Sequence, residues 1–277
     1  MNELSPRYAQ NAAPQTGRTP PGKPGRTIAV ASGKGGVGKT WLSITLAHAL
    51  VRKGKRVLLF DGDIGLANID IQLGLAPKRD LGSVIAGRIG LREIIVANAG
   101  DTGIDAITGP SGSGSLSTLP PLHLDALLRE LDGVAASYDY VIMDLGAGID
   151  NTVRSLAARA DTALIVTNAD PTALTDAYAF IKLMTLRNGG GDMRVVVNAA
   201  NSDSEGQNTY QTLRKACEGF LDIAPPLAGI VPVDRKVAQA IRSQKPLLAL
   251  DPGCPAAIGI NAIASGLTAP VRTVGTP

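Results

Sequence analysis

The chain has 277 residues, of which 44% are apolar, 18% are charged and 3% are aromatic. This length and apolar content support a sizeable core, which excludes both a wholly disordered chain and a miniprotein that depends on disulfides or structural metal. The longest apolar runs are much shorter than the roughly 18 residues that a membrane-spanning helix needs. The two cysteines, Cys217 and Cys254, lack the C-x-x-C spacing of a zinc or redox motif.

Residues 1–25 are predicted to form a disordered, proline-rich tail. They contain five of the 18 prolines and lack the apolar segment of a signal peptide, which favours a cytoplasmic protein. The formal net charge is +3, and residues 1–26 alone carry that excess, so the remaining chain is neutral. Binding to DNA phosphates usually needs clustered lysine and arginine. The charge balance therefore argues against DNA binding, although folding could still create a local basic patch.

Short apolar runs alternate with longer amphipathic runs along the rest of the chain. The runs predicted as strands show little polar alternation, which is typical of a parallel sheet covered on both faces. We therefore predict an α/β fold, a single doubly wound and mostly parallel sheet over residues 26–267, followed by a flexible C-terminal tail over residues 268–277. The predicted strands cover residues 26–32, 55–61, 103–109, 138–145, 161–168, 193–199 and 225–233. The predicted helices cover residues 39–52, 122–136, 151–159, 172–187 and 207–218. Two further segments, residues 109–121 and those after residue 264, are predicted to be flexible.

A phosphate-binding loop is the strongest chemical signal in the sequence. Residues 33–40 follow the pattern G-x-x-x-x-G-K-T between a predicted strand and a predicted helix. The glycines allow successive N–H groups to face phosphate oxygens, and the helix N-terminus adds the positive end of its dipole. Lys39 is predicted to contact the β and γ phosphates, and Thr40 to bind Mg²⁺. The residues predicted to contact nucleotide here are Gly33, Lys34, Gly35, Gly36, Val37, Gly38, Lys39, Thr40 and Trp41.

Lys34 distinguishes this loop, because a second lysine near its start cannot easily reach phosphates that Lys39 already holds. With Lys34, the loop resembles that of the deviant Walker A ATPases, which include the MinD, ParA and FlhG proteins. The resemblance covers residues 26–264. It implies a SIMIBI-type P-loop NTPase fold, hydrolysis of ATP with Mg²⁺, and an ATP-bound homodimer in which Lys34 acts catalytically on the partner's phosphates. A solvated loop lysine is the alternative interpretation.

Acidic residues follow two of the predicted strands, at the end where such sheets bind ligands. Asp61 and Asp63 match the D-x-D switch of the same family, and the resemblance implies that both are catalytic and that Asp63 orients the attacking water. Asp144 ends an apolar strand before a glycine-containing loop, and the resemblance implies a Walker B acid. The implied magnesium site comprises Thr40, Asp63 and Asp144. Capping of the turns that follow is the structural alternative for each aspartate.

Four further residues match positions of the family less specifically. The resemblance implies that Asn198, Pro232 and Asp234 frame the adenine, and that Asp176 pairs with the signature lysine, Lys34, in the dimer. Taken without the resemblance, an asparagine that follows a strand is more often a turn residue. Asp176 on its own is an ordinary acid in the first turn of a helix.

The sequences of residues 62–75, 144–149 and 171–178 resemble those of the FlhG branch, whose members regulate flagellar number and placement. The resemblance implies a second copy of the chain and proteins of the flagellar or positioning machinery as partners, with a cytoplasmic and transiently polar or membrane-surface location. Alternatives are a ParA-like ATPase that partitions DNA or cargo, a MinD-type regulator of the division site, and a scaffold that binds ATP without turnover. Relatives with iron–sulfur clusters need bridging cysteines that this chain lacks.

Two departures from the family weaken particular expectations. Residues 265–277 contain two prolines and one arginine, so they cannot form the basic amphipathic helix by which relatives reach the membrane. Membrane association is therefore in doubt. Residues 1–26 also lack the segment by which flagellar relatives stimulate the GTPase FlhF. The connection with FlhF is weakened, whereas the prediction of an ATPase is unaffected.

Overall fold

The computed structural model describes residues 25–63, 67–109, 121–188 and 190–269. They form one seven-stranded sheet in the order β3-β2-β4-β1-β5-β6-β7, and its paired strands are parallel. The chain places β2 to β4 on one side of β1 and then crosses to place β5 to β7 on the other, which gives a topological switch point at the carboxyl end of β1. The strands are β1 (Arg26–Ser32), β2 (Val57–Gly62), β3 (Asp105–Ile107), β4 (Tyr140–Ala147), β5 (Thr162–Thr167), β6 (Met193–Ala200) and β7 (Leu227–Pro232).

Helices cover both faces of the sheet, and each face contributes one apolar core. The helices are α1 (Lys39–Arg52), α2 (Ile69–Leu73), α3 (Leu81–Ile85), α4 (Pro121–Ala135), α5 (Asn151–Arg159), α6 (Pro171–Asn188), α7 (Asp203–Leu221), α8 (Arg235–Arg242), α9 (Leu247–Leu250) and α10 (Pro255–Thr268). One core contains buried residues of α3 to α7, and the other contains those of α1, α2, α8, α9 and α10, together with Ala173 of α6. Burial of both faces explains why the strands are apolar throughout.

The predicted α/β fold is confirmed, and the ends of most predicted strands and helices shift by one to four residues. Five helices, α2, α3, α8, α9 and α10, were not predicted, and for one segment the prediction was wrong. The chain after residue 264 was expected to be flexible, but α10 continues to Thr268. Its last turn is held by Arg26, whose guanidinium donates to the carbonyl oxygen of Leu267 at 2.8 Å. The predicted N-terminal tail up to residue 24, residues 110–120 and residues 270–277 lie outside the described residues.

Among the described residues, no helix is long and apolar enough to cross a bilayer.

Candidate nucleotide-binding site

The carboxyl edge of the sheet brings together the residues that the sequence singles out. The phosphate-binding loop connects β1 to α1, Asp63 follows β2, and Asp144 lies within β4. On the other side of β1, Asn198 lies near the end of β6 and Pro232 ends β7. These elements are neighbours in one parallel sheet, so their carboxyl ends open onto a shared crevice.

Glycine geometry shapes the loop. Gly36 and Gly38 have φ angles of 78° and 92°, a left-handed region that side chains rarely adopt. A Cβ atom on Gly38 would lie 2.4 Å from Nδ2 of Asn198, which donates a hydrogen bond of 2.8 Å to the carbonyl oxygen of Val37. Asn198 therefore braces the loop from the side of β6, while its predicted contact with the adenine stays a prediction.

The start of the loop packs against α6. A Cβ atom on Gly33 would lie 2.2 Å from the backbone oxygen of Asp176. The Lys34 ammonium, by contrast, contacts Oδ2 of Asp170 at 2.8 Å and the hydroxyl of Thr172. Within one chain, the signature lysine thus pairs with Asp170, and the predicted pairing with Asp176 in a dimer stays a prediction. The Lys34 ammonium, and to a smaller extent the hydrogen bonds from Thr172, hold the pKa of Asp170 well below its usual range.

Gly33→Ala is expected to destabilise the protein far more than Gly36→Ala. The first variant drives a methyl group into the backbone of α6, whereas the second has no atom within 4 Å of the new Cβ and suffers only from its φ angle. A left-handed alanine costs about 1 kcal/mol, so Gly36→Ala should lower the melting temperature by a few degrees. Thermal unfolding of both variants tests this, and equal losses would contradict the packing of Gly33 on α6.

Lys39 is largely buried, with 8% of its surface exposed. Its ammonium donates to the hydroxyl of Ser32 at 2.9 Å, and that hydroxyl donates to the carbonyl oxygen of Lys34 at 2.6 Å. Burial lowers the pKa of Lys39, while the charges of Asp144 and Asp63 raise it. A buried cation at the base of a glycine loop is what a phosphate group needs. Ser32, which joins the backbone of one lysine to the side chain of the other, was not singled out from the sequence.

Asp61 is completely buried, and its side chain binds backbone N–H groups. Its carboxylate accepts hydrogen bonds from the N–H groups of Asp63, Asn68 and Ile69, each at 3.2 Å. It lies opposite Asp144 in the β2–β4 register. Burial, and then the charge of Asp144, raises the pKa of Asp61 to about 8, against the effect of the three N–H groups. This geometry suits a residue that positions the segment after β2, while its predicted catalytic role stays a prediction.

This buried carboxyl group predicts a pH dependence of stability. The pKa of Asp61 is about 8 in the folded chain, against 3.8 for an unperturbed aspartate side chain. Between these values the folded state binds more protons than the unfolded state, so the free energy of unfolding falls as pH rises from about 4 to about 8. Asp61→Asn should flatten this dependence in nucleotide-free protein. Chemical denaturation at several pH values measures it, and identical profiles for both proteins would contradict the prediction.

Asp63 and Asp144 provide carboxylates around Lys39. Asp63 is partly exposed, and a Cβ atom on Gly146 would lie 3.4 Å from its Oδ1 atom. Asp144 accepts a hydrogen bond of 2.9 Å from the hydroxyl of Ser43. Burial raises the pKa of Asp144 to about 6, while bonds from Thr40 and Ser43 and the charge of Lys39 lower it. Carboxylate and hydroxyl oxygens are the ligands that Mg²⁺ prefers, so the donor set fits Mg²⁺ with a nucleotide.

Two of the residues predicted to contact nucleotide, Asp234 and Trp41, have structural contacts of their own. The carboxylate of Asp234 caps two helices, accepting from the N–H of Lys236 at 2.8 Å and from the N–H of Ala256 at 3.2 Å. The Trp41 side chain is buried in the core on the α1 face of the sheet. Their side chains are therefore committed to capping and packing, which leaves the backbone of these residues for the predicted contacts with nucleotide.

Taken together, the fold and the loop define a P-loop nucleotide-binding protein. The model of the CobQ/CobB/MinD/ParA nucleotide-binding domain matches residues 28–247. The chain belongs to this family, and it is an ATPase of the MinD and ParA kind.

Two named proteins, an antiactivator and a flagellum site-determining protein, are similar to most of this chain. The antiactivator FleN of Pseudomonas aeruginosa is 39% identical over 241 residues, which cover 87% of this chain and 85% of FleN. The flagellum site-determining protein YlxH of Helicobacter pylori is 34% identical, over 89% of this chain and 83% of YlxH. Among solved structures, a MinC:MinD cell division complex from Aquifex aeolicus gives a TM-score of 0.72 at 27% identity, covering 89% of this chain and 98% of the matched chain.

Proposed function

We propose that this chain is a dimerising switch ATPase of the FlhG type, which hydrolyses ATP to ADP and phosphate and thereby controls the number or placement of flagella. The observation that carries the proposal is that the two lysines of one loop occupy different environments. Lys39 is buried at the base of the loop, whereas Lys34 lies at its surface in an ion pair with the exposed Asp170. Similarity to FleN and YlxH supports the flagellar assignment.

In the proposed reaction, the residues of this chain bind and orient rather than form covalent bonds. The loop amides and Lys39 hold the phosphates, and Asp63 accepts a hydrogen bond from the attacking water. Thr40, Asp63 and Asp144 are the residues that would hold Mg²⁺, which neutralises charge on the transferred phosphoryl group. Asp61 keeps the backbone of Asp63 in place through the three N–H groups that it accepts.

Lys34 is proposed to leave Asp170 and contact the phosphates of a second copy. The Lys34–Asp170 pair is partly exposed on both sides, and water screens such pairs, so the pair contributes little to stability. The pair can therefore be exchanged for a contact with a more highly charged phosphate at little cost. Asp176 lies on α6, where its backbone packs against Gly33 of the loop, and it stays the proposed dimer contact of Lys34.

Lys34→Ala is expected to bind ATP as a monomer but to lose ATP-dependent dimerisation and turnover, because Lys39 and the loop backbone remain. Calorimetry, gel filtration with light scattering, and phosphate release measure the three properties. Lys182→Ala, which removes an exposed lysine from α6, is the matched control and should behave as wild type. Wild-type turnover by Lys34→Ala would instead support a solvated loop lysine.

The flagellar assignment needs a test in cells. Deletion of the gene should change the number or position of flagella seen by electron microscopy, and the wild-type gene, but not a Lys34→Ala copy, should restore them. A MinD-type regulator of division is the second candidate, supported by 31% identity to the septum site-determining protein MinD of Bacillus subtilis. Misplaced septa with normal flagella would favour that candidate and contradict the flagellar one.

A further inference from the structure

The first turns of α1 present three polar side chains to Asp144. Lys39, Thr40 and Ser43 are spaced so that they share one side of the helix. The hydroxyl of Ser43 donates to Oδ1 of Asp144 at 2.9 Å, and both residues are buried, with 0% and 1% of their surface exposed. The resemblance and the comparisons assign no role to Ser43.

The Ser43 hydroxyl donates its hydrogen bond to another element rather than to the backbone of its own helix. Serine and threonine inside helices commonly bond to the carbonyl four residues earlier. Thr45, two positions further along α1, does so with the carbonyl oxygen of Trp41 at 2.8 Å. Ser43 donates across to β4 instead. The helix α1 therefore contains two buried hydroxyl groups: that of Thr45 bonds to the helix backbone, and that of Ser43 bonds to Asp144, the predicted Walker B acid.

We propose that Ser43 is a positioning residue of the magnesium site, which fixes the Asp144 carboxylate in the orientation that serves the ion. The inference rests on the proposed function. Of the three side chains that face Asp144, Lys39 is assigned to phosphate and Thr40 to Mg²⁺. Ser43 lies about one turn deeper and is covered by protein, so its hydroxyl stays on Asp144 whether or not a nucleotide is bound.

The expected effect of removing the hydroxyl is on the ion rather than on the nucleotide. Partners that orient a metal ligand typically contribute 10–100-fold to metal affinity or activity. Ser43→Ala removes one oxygen atom and leaves the loop, Lys39 and Thr40 in place. ADP affinity in EDTA should therefore stay within about twofold of wild type, while the Mg²⁺ concentration needed for half-maximal effect rises about tenfold.

Two measurements test the proposal, and only one depends on turnover. Calorimetry gives ADP affinity across a Mg²⁺ titration, and phosphate release gives the Mg²⁺ requirement of hydrolysis. Thr45→Val is the matched control, because it removes the other buried hydroxyl of α1 at constant shape and should leave both midpoints unchanged. Ser43→Cys keeps a weak donor of similar size, so its midpoints should lie between those of Ser43→Ala and wild type.

The outcomes separate this inference from the function on which it rests. If wild-type ADP affinity and hydrolysis do not respond to Mg²⁺, the proposed metal site itself fails. If wild type responds and Ser43→Ala has the same Mg²⁺ midpoints, Ser43 has no positioning role. Thermal unfolding identifies a variant that fails to fold, and Ser43→Cys then decides: wild-type Mg²⁺ midpoints for that variant overturn the proposal.

Discussion

Lys39→Ala is expected to lose ATP binding, by about a hundredfold or more in affinity. Truncating one partner of a buried, hydrogen-bonded charge pair costs about 2–5 kcal/mol, and the Lys39 ammonium is the buried cation of the loop. The fold should survive, because Lys39 faces Ser32 and the two aspartates rather than the apolar core. Calorimetry measures the affinity, and circular dichroism confirms that the variant is folded.

Two comparisons make the Lys39 result specific. Lys34→Ala removes the same charge from the same loop and should retain ATP binding, since its ammonium lies outside the phosphate cradle in an ion pair with Asp170. Lys53→Ala, at the end of α1, controls for net charge. If Lys39→Ala binds ATP as tightly as these two variants, the assignment of Lys39 to the phosphates is wrong.

Asp63→Ala is expected to separate ATP binding from ATP turnover. The carboxylate is assigned to positioning water, so its loss should leave the loop and Lys34 able to bind ATP and form the dimer. Loss of water positioning in phosphoryl transfer should slow hydrolysis by about a hundredfold or more, which corresponds to several kcal/mol of barrier. In gel filtration with light scattering, the variant with ATP and Mg²⁺ should keep about twice its monomer mass for hours.

Wild type in the same experiment should return to monomer as ATP is consumed. Asp125→Ala, which removes an exposed aspartate from α4, is the charge-matched control and should also return to monomer. A folded Asp63→Ala that stays monomeric in saturating ATP, or that hydrolyses at the wild-type rate, would show that Asp63 is structural and that the switch assignment fails here.

The sequence predicts the α/β sheet and the phosphate-binding loop well, because both depend on local properties. Apolar strands are needed where a sheet is covered on both faces, and Gly36 and Gly38 occupy φ angles that few other residues adopt. The positions of Asp63 and Asp144 also follow from the chain, since each lies at or near the end of a strand that the apolar pattern identifies.

Contacts between distant segments could not be predicted in the same way. The pairing of Lys34 with Asp170 and that of Ser43 with Asp144 depend on how α6 and β4 sit beside the loop. The helix α10 was missed because its two glycines disfavour a helix, although its alanines favour one. Packing explains it: a Cβ atom on Gly259 would lie 3.0 Å from the backbone oxygen of Ile230, so the glycine allows α10 to lie directly against β7.

The hydrogen bond between Arg26 and Leu267 brings the first residue of β1 and the last turn of α10 together at the amino edge of the sheet. The nucleotide site lies at the opposite edge, and the seven residues of β1 span roughly 20 Å between them. A fluorescent protein joined at either end of the domain would therefore emerge on the side away from the loop and from the proposed dimer surface. Such fusions are expected to leave the nucleotide site open and so to report where the protein accumulates in living cells.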